Sequence, residues 1–176
     1  MVPLKRRQGD SFVLLDDAFN VIDEHPKNGV QAIWAQLQVS TVQHTGTNFV
    51  AKLLTDAGWT VRATHWTAQN VLDKGFVISP IRDPWKTYVT WVSRNRNDSF
   101  FGQWQLFNQA YLTNPDLYIL PIDTADRCDY LMHLSERLKV QLKTDWKPVE
   151  SRPHKTVKPT DLSNVYDLPV VKKFYR

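Results

Sequence analysis

The sequence is poor in cysteine, in glycine and in long apolar runs. Cys128 is the single cysteine of the 176 residues, so no disulfide can form within the chain and a reducing compartment is expected. No stretch approaches the roughly 20 apolar residues of a membrane-spanning helix. The basic residues 5–7 are not followed by the apolar run of a signal peptide. These absences predict a soluble, cytoplasmic protein with no membrane partner.

The charge balance is only mildly basic. The chain has 22 Lys and Arg against 18 Asp and Glu, a formal net charge of +4. This excess suits an anionic ligand but is too small to predict a nucleic-acid partner. His25, His133 and His154 lack metal-ligand spacing with one another or with Cys128, so no metal site is expected. Nothing in the composition indicates an oligomeric state.

One strand–turn–helix pattern stands out. Residues 37–42 alternate as a strand does, residues 48–57 carry apolar side chains at helical spacing, and Gly58 predicts the helix end. The turn contains Gly46 but lacks the Lys of G-x-x-x-x-G-K-[ST], which excludes an ordinary ATP-binding loop. Two interpretations stay open: an anion site at the helix N-terminus, or a plain connection capped by Thr47.

Strand and helix patterns alternate through most of the chain. Further strands are predicted over residues 59–64, 76–81 and 116–122, and helices over residues 67–74, 84–94, 100–112 and 124–140. This alternation predicts an α/β fold, a three-layer sandwich with a mainly parallel central sheet.

A single domain is predicted over residues 1–176. Within it, residues 1–10 are expected to be a loose arm, residues 11–22 a hairpin or an edge extension, and residues 141–176 a basic segment with few periodic cues. Cys128 is expected in the core. The apolar face of the helix at 84–94 is predicted to consist of Trp85, Tyr88, Val89 and Val92.

Polar residues follow three consecutive predicted strands. The turn at residues 43–48 follows the first strand, His65 the second and Arg82 the third. Carboxyl ends of parallel strands meet at one edge of a sheet, and ligands of such sheets bind there. We therefore expect these three positions to lie together.

These residues, in this order, resemble the motifs of the sulfotransferase family, which uses 3′-phosphoadenosine 5′-phosphosulfate (PAPS). Residues 43–49 (QHTGTNF) resemble the family's P-K-S-G-T-T-W loop, and residues 64–65 (TH) are similar to its T-H pair. Residues 82–84 (RDP) look like the start of its R-N-P-x-x-x-x-x-S motif, with Thr90 in the place of the Ser. The likeness covers about residues 37–95.

The resemblance implies a P-loop NTPase-like fold of the sulfotransferase type. It implies transfer of a sulfuryl group from PAPS to a hydroxyl or amine of an acceptor that the sequence does not identify. His65 would be the catalytic base, and His44 would stabilise the leaving phosphate. Arg82 and Thr90 would hold the 3′-phosphate. The 5′-phosphosulfate would lie on the backbone N–H groups and hydroxyls of Thr45, Gly46, Thr47 and Asn48.

The sequence departs from the family pattern at three places. His44 stands where the family has Lys, and Asp83 stands where it has Asn. The third departure is the late R-K-G loop, which has no clear counterpart here. Candidate substitutes for its charge are Arg152, His154, Lys155 and Lys158.

Three other interpretations stay open. The first is a nucleotide or small-molecule kinase with a degenerate phosphate loop and Asp123 as a Mg²⁺ ligand. The second is a nucleic-acid-binding module, because residues 85–104 interleave basic and aromatic side chains. The third is a sulfotransferase-like protein without activity, because the loop Lys is replaced.

Overall fold

The computed structural model describes residues 2–26, 34–94, 98–145 and 156–175. In these ranges the strands are β1 Leu4–Gln8, β2 Ser11–Leu15, β3 Val21–Pro26, β4 Leu37–Thr41, β5 Val61–His65, β6 Val77–Ile81 and β7 Leu117–Pro121. The α-helices are α1 Thr47–Asp56, α2 Pro84–Ser93, α3 Phe100–Thr113, α4 Arg127–Leu138, α5 Ser163–Tyr166 and α6 Pro169–Lys172, and a 3-10 turn spans Asn70–Leu72. None of the helices within these ranges is long and apolar enough to cross a membrane.

The strands form two sheets. β4 to β7 make a four-stranded parallel sheet in the order β5-β4-β6-β7, and β1 to β3 make an antiparallel sheet in chain order. The predicted α/β class with a parallel central sheet is therefore confirmed. Because all four parallel strands run the same way, their carboxyl ends share one edge. We call this edge, which follows Thr41, His65, Ile81 and Pro121, the carboxyl rim.

Helices cover both faces of the parallel sheet. Ile119 and Leu120 are neighbours on β7 but belong to different buried clusters, and successive strand residues point to opposite faces. One cluster includes side chains of α1, α4 and the antiparallel sheet. The other includes side chains of α3, α5 and α6. This arrangement is compatible with a three-layer sandwich.

The loose arm predicted for residues 1–10 is wrong for Leu4–Gln8, which forms β1 and pairs with β2. Arg6 lies in this strand with only 6% of its surface exposed. Its guanidinium lies 5.4 Å from the Trp59 ring centroid and donates to the Leu138 carbonyl at 3.5 Å. The charged residues of this segment argued against a buried strand in the sequence. An arginine can nevertheless bury its aliphatic stem while its guanidinium donates to nearby acceptors.

The hairpin interpretation of residues 11–22 is confirmed, with a longer second strand. β2 and β3 pair antiparallel from Ser11 opposite Pro26. The turn is held by Asp16, whose Oδ1 accepts the N–H groups of Ala18 and Asn20, each at 2.9 Å. Such side-chain acceptors are typical of aspartate in turns.

The apolar face predicted for α2 is wrong. Its buried residues are Pro84, Thr87, Thr90 and Trp91, whereas Val92 is 39% exposed. The hydroxyls of Thr87 and Thr90 donate to carbonyls one turn back, at 3.1 and 3.4 Å. Because these hydroxyls find acceptors inside the helix, threonine can occupy the buried side. The remaining predicted members, Trp85, Tyr88 and Val89, are half-buried.

Cys128 is exposed, which corrects its predicted place in the core. α4 begins at Arg127, so Cys128 lies in its first turn, and its thiol contacts the Thr144 carbonyl at 3.2 Å. Burial starts one turn later, at Leu131.

The basic segment 141–176 contains two helices that the sequence analysis did not predict. α5 buries Val165, and α6 begins with Pro169 and buries Val170 and Val171. These helices lead the C-terminal part of the chain to the carboxyl rim.

Candidate functional site

The turn after β4 is built around a glycine that no other residue can replace without strain. Gly46 is the N-cap residue of α1, with φ of 101°. A Cβ at this position would lie under 3.0 Å from Ile122 Cδ1, closer than real Cβ contacts come. Thr47 is the first residue of the helix, so the interpretation in which Thr47 caps it is wrong. Glycine brings no capping oxygen, so the first N–H groups of α1 open onto the rim.

The hydroxyl of Thr45 is engaged inside the protein. Thr45 is fully buried, and its Oγ1 donates to the Val42 carbonyl at 2.6 Å. That proton cannot at the same time be donated to a ligand. Among the predicted loop ligands, Thr47 is half-buried and Asn48 is exposed in the first turn of α1. The hydroxyl donor predicted for this loop is therefore better supplied by Thr47.

Thr41 connects the turn to His65. Its Oγ1 lies 3.0 Å from Thr47 Oγ1 and 3.3 Å from His65 Nδ1. Thr41 and His65 are register partners at the ends of β4 and β5. His65 is thus the last residue of its strand, and its side chain is exposed. Two of the three predicted positions are brought together by one buried hydroxyl.

His44 has a backbone conformation that is uncommon for a residue with a side chain. Its φ is 68°, in the left-handed region. Its ring packs edge-on against Trp91, with the centroids 6.3 Å apart. Residues held in such conformations are concentrated at ligand sites.

Arg82 follows β6, whose pairing with β4 brings it to the same rim. The next residue, Asp83, donates its N–H to Asp123 Oδ2 at 3.0 Å, and Lys86 Nζ lies 3.6 Å from that oxygen. Burial, followed by the bond to Asp123, raises the pKa of Tyr175, and the positive charge of Arg82 acts in the opposite direction.

Two tyrosines from the C-terminal segment complete the rim. The hydroxyl of Tyr166 donates to Asp83 Oδ1, and that of Tyr175 donates to Asp123 Oδ1. Burial, followed by the bond to Asp83, raises the pKa of Tyr166 to about 12, so the hydroxyl stays a donor at neutral pH. Sequence reasoning missed both tyrosines. The available signal was the position of these rings among the apolar residues of segment 163–175.

The remaining residues predicted to bind the nucleotide are Thr90 and the candidate substitutes for the R-K-G loop. Thr90 is 7% exposed, and its assignment to the 3′-phosphate stays a prediction. Lys158 is exposed, near the contact between Thr160 and Tyr88. The other candidates for the R-K-G charge, Arg152, His154 and Lys155, lie outside the described residues.

The rim combines the N-terminus of α1 with donor side chains. The positive end of the α1 dipole favours an anion. At the start of α2 the N–H groups of Asp83 and Trp85 are already bonded to Asp123 and Tyr166. Arg82 and the imidazoles of His44 and His65 are further donors. The carboxylates of Asp83 and Asp123 already accept hydrogen bonds from the tyrosines. This donor set fits a phosphate or sulfate ester.

A shallow depression of about 290 Å³ lies elsewhere, on α3. Its lining residues carry no charge; they are Gln105, Asn108, Gln109, Leu112, Thr113 and Leu168. The rim is the better candidate for an anionic ligand, because it offers Arg82 and open α/β sheets bind ligands at their carboxyl ends.

The aromatic residues between 85 and 104 pack mainly against one another. Phe100 makes edge contacts with Trp91 at 5.4 Å and with Trp104 at 6.1 Å, and Trp104 is fully buried. A fully buried ring such as that of Trp104 cannot stack on a base.

Comparison of the chain with protein-family models, with curated proteins and with solved structures gave no match. A function for this protein is therefore argued from the side chains and backbone groups of the carboxyl rim.

Proposed function

We propose that this protein is a sulfotransferase with a P-loop NTPase-like fold, acting on PAPS and a hydroxyl or amine acceptor. The observation that carries the proposal is the Thr41 hydroxyl, which lies within hydrogen-bond distance of both Thr47 and His65. It joins a donor at the N-terminus of α1 to a group that can take a proton. Sulfuryl transfer needs both, side by side.

The anion-binding part consists of the first turn of α1 and Arg82. The N–H groups after Gly46 and the Thr47 hydroxyl would hold the 5′-phosphosulfate. Arg82 would hold the 3′-phosphate, because its planar guanidinium can donate two parallel hydrogen bonds. PAPS, when bound, supplies the sulfuryl group, which passes to the acceptor and leaves adenosine 3′,5′-bisphosphate.

The proton is taken by His65. In the tautomer in which Nδ1 carries hydrogen, Nδ1 donates to Thr41 Oγ1. Thr41 then donates to Thr47 Oγ1, and Thr47 is left to donate to the anion. In that tautomer Nε2 carries a lone pair. This lone pair takes the proton from the hydroxyl or amine that receives the sulfuryl group. The hydroxyls of Thr41 and Thr47 thus each accept one hydrogen bond and donate one.

His44 would stabilise the leaving phosphate, as the resemblance implies for the loop lysine. Its backbone sits two residues before Gly46, and its ring is held against Trp91. An imidazole carries a full charge only when protonated. The role proposed for His44 therefore needs the protonated ring, and the role proposed for His65 needs the neutral one.

Isothermal titration with adenosine 3′,5′-bisphosphate tests the binding part. Arg82→Ala removes hydrogen bonds to a charged group, worth about 1.5 to 3 kcal/mol, and should weaken binding about tenfold to hundredfold. Arg62→Ala, at an exposed arginine that is the second residue of β5, is the matched control and should leave the affinity unchanged. Equal affinities in all three proteins would remove Arg82 from the phosphate site.

Turnover tests the base separately. His65→Ala should lower sulfate transfer about a hundredfold or more while the affinity for adenosine 3′,5′-bisphosphate stays within twofold. Turnover close to that of the native protein would show that another group takes the proton.

The kinase alternative is distinguished in the same titrations. Asp123, its candidate Mg²⁺ ligand, already accepts from the Asp83 N–H, lies beside Lys86 and accepts from Tyr175. We expect tighter binding of adenosine 3′,5′-bisphosphate than of ATP with Mg²⁺. The reverse order would favour the kinase.

A further inference from the structure

The backbone on both sides of Arg82 is tied to the C-terminal part of the chain. We call Tyr166 and Tyr175, with their partners Asp83 and Asp123, the tyrosine clamp. The tyrosines lie 83 and 52 residues away from their carboxylate partners in sequence. The clamp therefore joins segments that only the tertiary fold brings together.

One half of the clamp holds the residue before Arg82. The Ile81 carbonyl accepts from the Ile122 N–H at 3.0 Å, and Tyr175 Oη lies 3.4 Å from the same carbonyl oxygen. The single proton of this phenol is donated to Asp123 Oδ1. One phenol thus contacts the last residue of β6 and the second residue after β7.

The other half holds the residue after Arg82. Asp83 donates its N–H to Asp123 Oδ2 at 3.0 Å and accepts from Tyr166 on its own Oδ1. Tyr166 Oη in turn accepts the Trp85 N–H at 3.1 Å. That N–H belongs to the first turn of α2, where the helix itself offers no acceptor. The tyrosine therefore fixes the start of α2 as well as the carboxylate.

The clamp also sets the hydrogen bonding of the two carboxylates nearest to Arg82 in the sequence of the rim. Asp83, which follows Arg82 directly, accepts from Tyr166, and Asp123 accepts from Tyr175. Burial raises the pKa of both phenols, so at neutral pH both remain donors.

We propose that Tyr166 and Tyr175 are positioning residues that hold residues 81–83, and so direct the Arg82 side chain towards the 3′-phosphate of the nucleotide. The part of this inference that concerns the ligand rests on the proposed function. The part that concerns the orientation of Arg82 does not.

The orientation is tested without ligand, on the full chain. In Tyr166→Phe the Trp85 N–H loses its acceptor, so its hydrogen exchange, followed by NMR, should become about tenfold faster. The Arg82 Nε–Hε resonance should shift in both Tyr166→Phe and Tyr175→Phe. The matched control is Tyr118→Phe, which also deletes a phenol donor, the one bonded to the Tyr130 carbonyl, but on the first half of β7. It should leave both signals unchanged.

Positioning through Arg82 is tested by a double-mutant cycle on the affinity for adenosine 3′,5′-bisphosphate. Each Tyr→Phe change should weaken binding about tenfold in the native background and by less than twofold in the Arg82→Ala background. An equal loss in both backgrounds would overturn the proposal, because the tyrosines would then act through some other group.

The two proposals fail in different ways. If the native protein does not bind adenosine 3′,5′-bisphosphate, the proposed function falls and the NMR signals still decide the orientation. If binding depends on Arg82 but neither Tyr→Phe change affects the NMR signals or the affinity, the clamp is refuted and the function stands. Tyr166→Phe and Tyr175→Phe are separate variants. If one of them does not fold, the other still tests the clamp.

Discussion

Gly46→Ala is expected to destabilise the protein through two separate effects. Alanine at φ of 101° carries the strain of the left-handed region, about 1 to 2 kcal/mol. The new methyl group would also overlap Ile122 Cδ1, and overpacking costs typically about 1 to 3 kcal/mol. The sum is a loss of about 2 to 5 kcal/mol in the free energy of unfolding.

A second glycine separates the two effects. Gly75 has φ of 98°, and apart from Gly75 and its two chain neighbours no atom of the described residues lies within 4 Å of the position a Cβ would take there. Gly75→Ala should therefore show the strain alone. The melting temperature of Gly46→Ala should lie below that of Gly75→Ala by about 2 to 12 °C, given about 2 to 4 °C per kcal/mol for a domain of this size.

A compensating change identifies the atom responsible. Ile122→Val removes Cδ1, the nearest atom to the new methyl group, at a typical cost of about 0.5 to 1.5 kcal/mol by itself. In urea unfolding, the double variant Gly46→Ala/Ile122→Val should be more stable than the sum of the two single changes. If Gly46→Ala is no less stable than Gly75→Ala, or if the two changes simply add, the packing of the turn against Ile122 is not as described.

Three further outcomes are expected. Thr41→Val keeps the shape of the side chain but breaks the link to His65, so turnover should fall about tenfold, whereas Thr64→Val on the neighbouring strand should not lower it. Ser99→Ala removes the N-cap acceptor for the Gly102 N–H, bonded at 2.9 Å, and should cost about 1 kcal/mol in urea unfolding. Burial, followed by the charge of Tyr130, raises the pKa of Tyr118 to about 12. Because that value is above the unfolded one, stability should be lost as pH rises from about 10 to 12, and less steeply in Tyr118→Phe.

Local pattern was a sufficient guide where one face of an element decides its position. β4, α1 and β6 were predicted within a residue or two of where they lie, because buried strands and an amphipathic helix have periods that can be counted. Their order then implied the rim, since parallel strands must end at the same edge. The rule that parallel strands end at one edge was enough to predict that the turn at residues 43–48 lies close to His65.

The local sequence pattern did not predict positions that are determined by contacts with distant segments. Arg6 lies in a strand only because β2 pairs with it and Trp59 covers it. Tyr166 and Tyr175 reach the rim because the valines of α5 and α6 dock on the sheet, in helices of four residues each that show no measurable period. Tertiary contacts of this kind leave no trace in a sliding window.

The Thr45 hydroxyl illustrates the same limit at the scale of one atom. Sequence spacing placed Thr45 and Thr47 in one polar turn as equal donors. The turn instead directs Thr45 inward, to the Val42 carbonyl, and Thr47 towards Thr41. Which of two neighbouring hydroxyls faces a ligand depends on backbone angles, here on the positive φ of His44 and Gly46.

The central claim is that the carboxyl rim binds adenosine 3′,5′-bisphosphate, and a crystal structure of the native chain with that nucleotide tests it most directly. We expect the 5′-phosphate on the first turn of α1, within hydrogen-bond distance of Thr47, and the 3′-phosphate paired with Arg82. Nucleotide bound at the other end of the sheet, or phosphates turned away from both groups, would contradict the account.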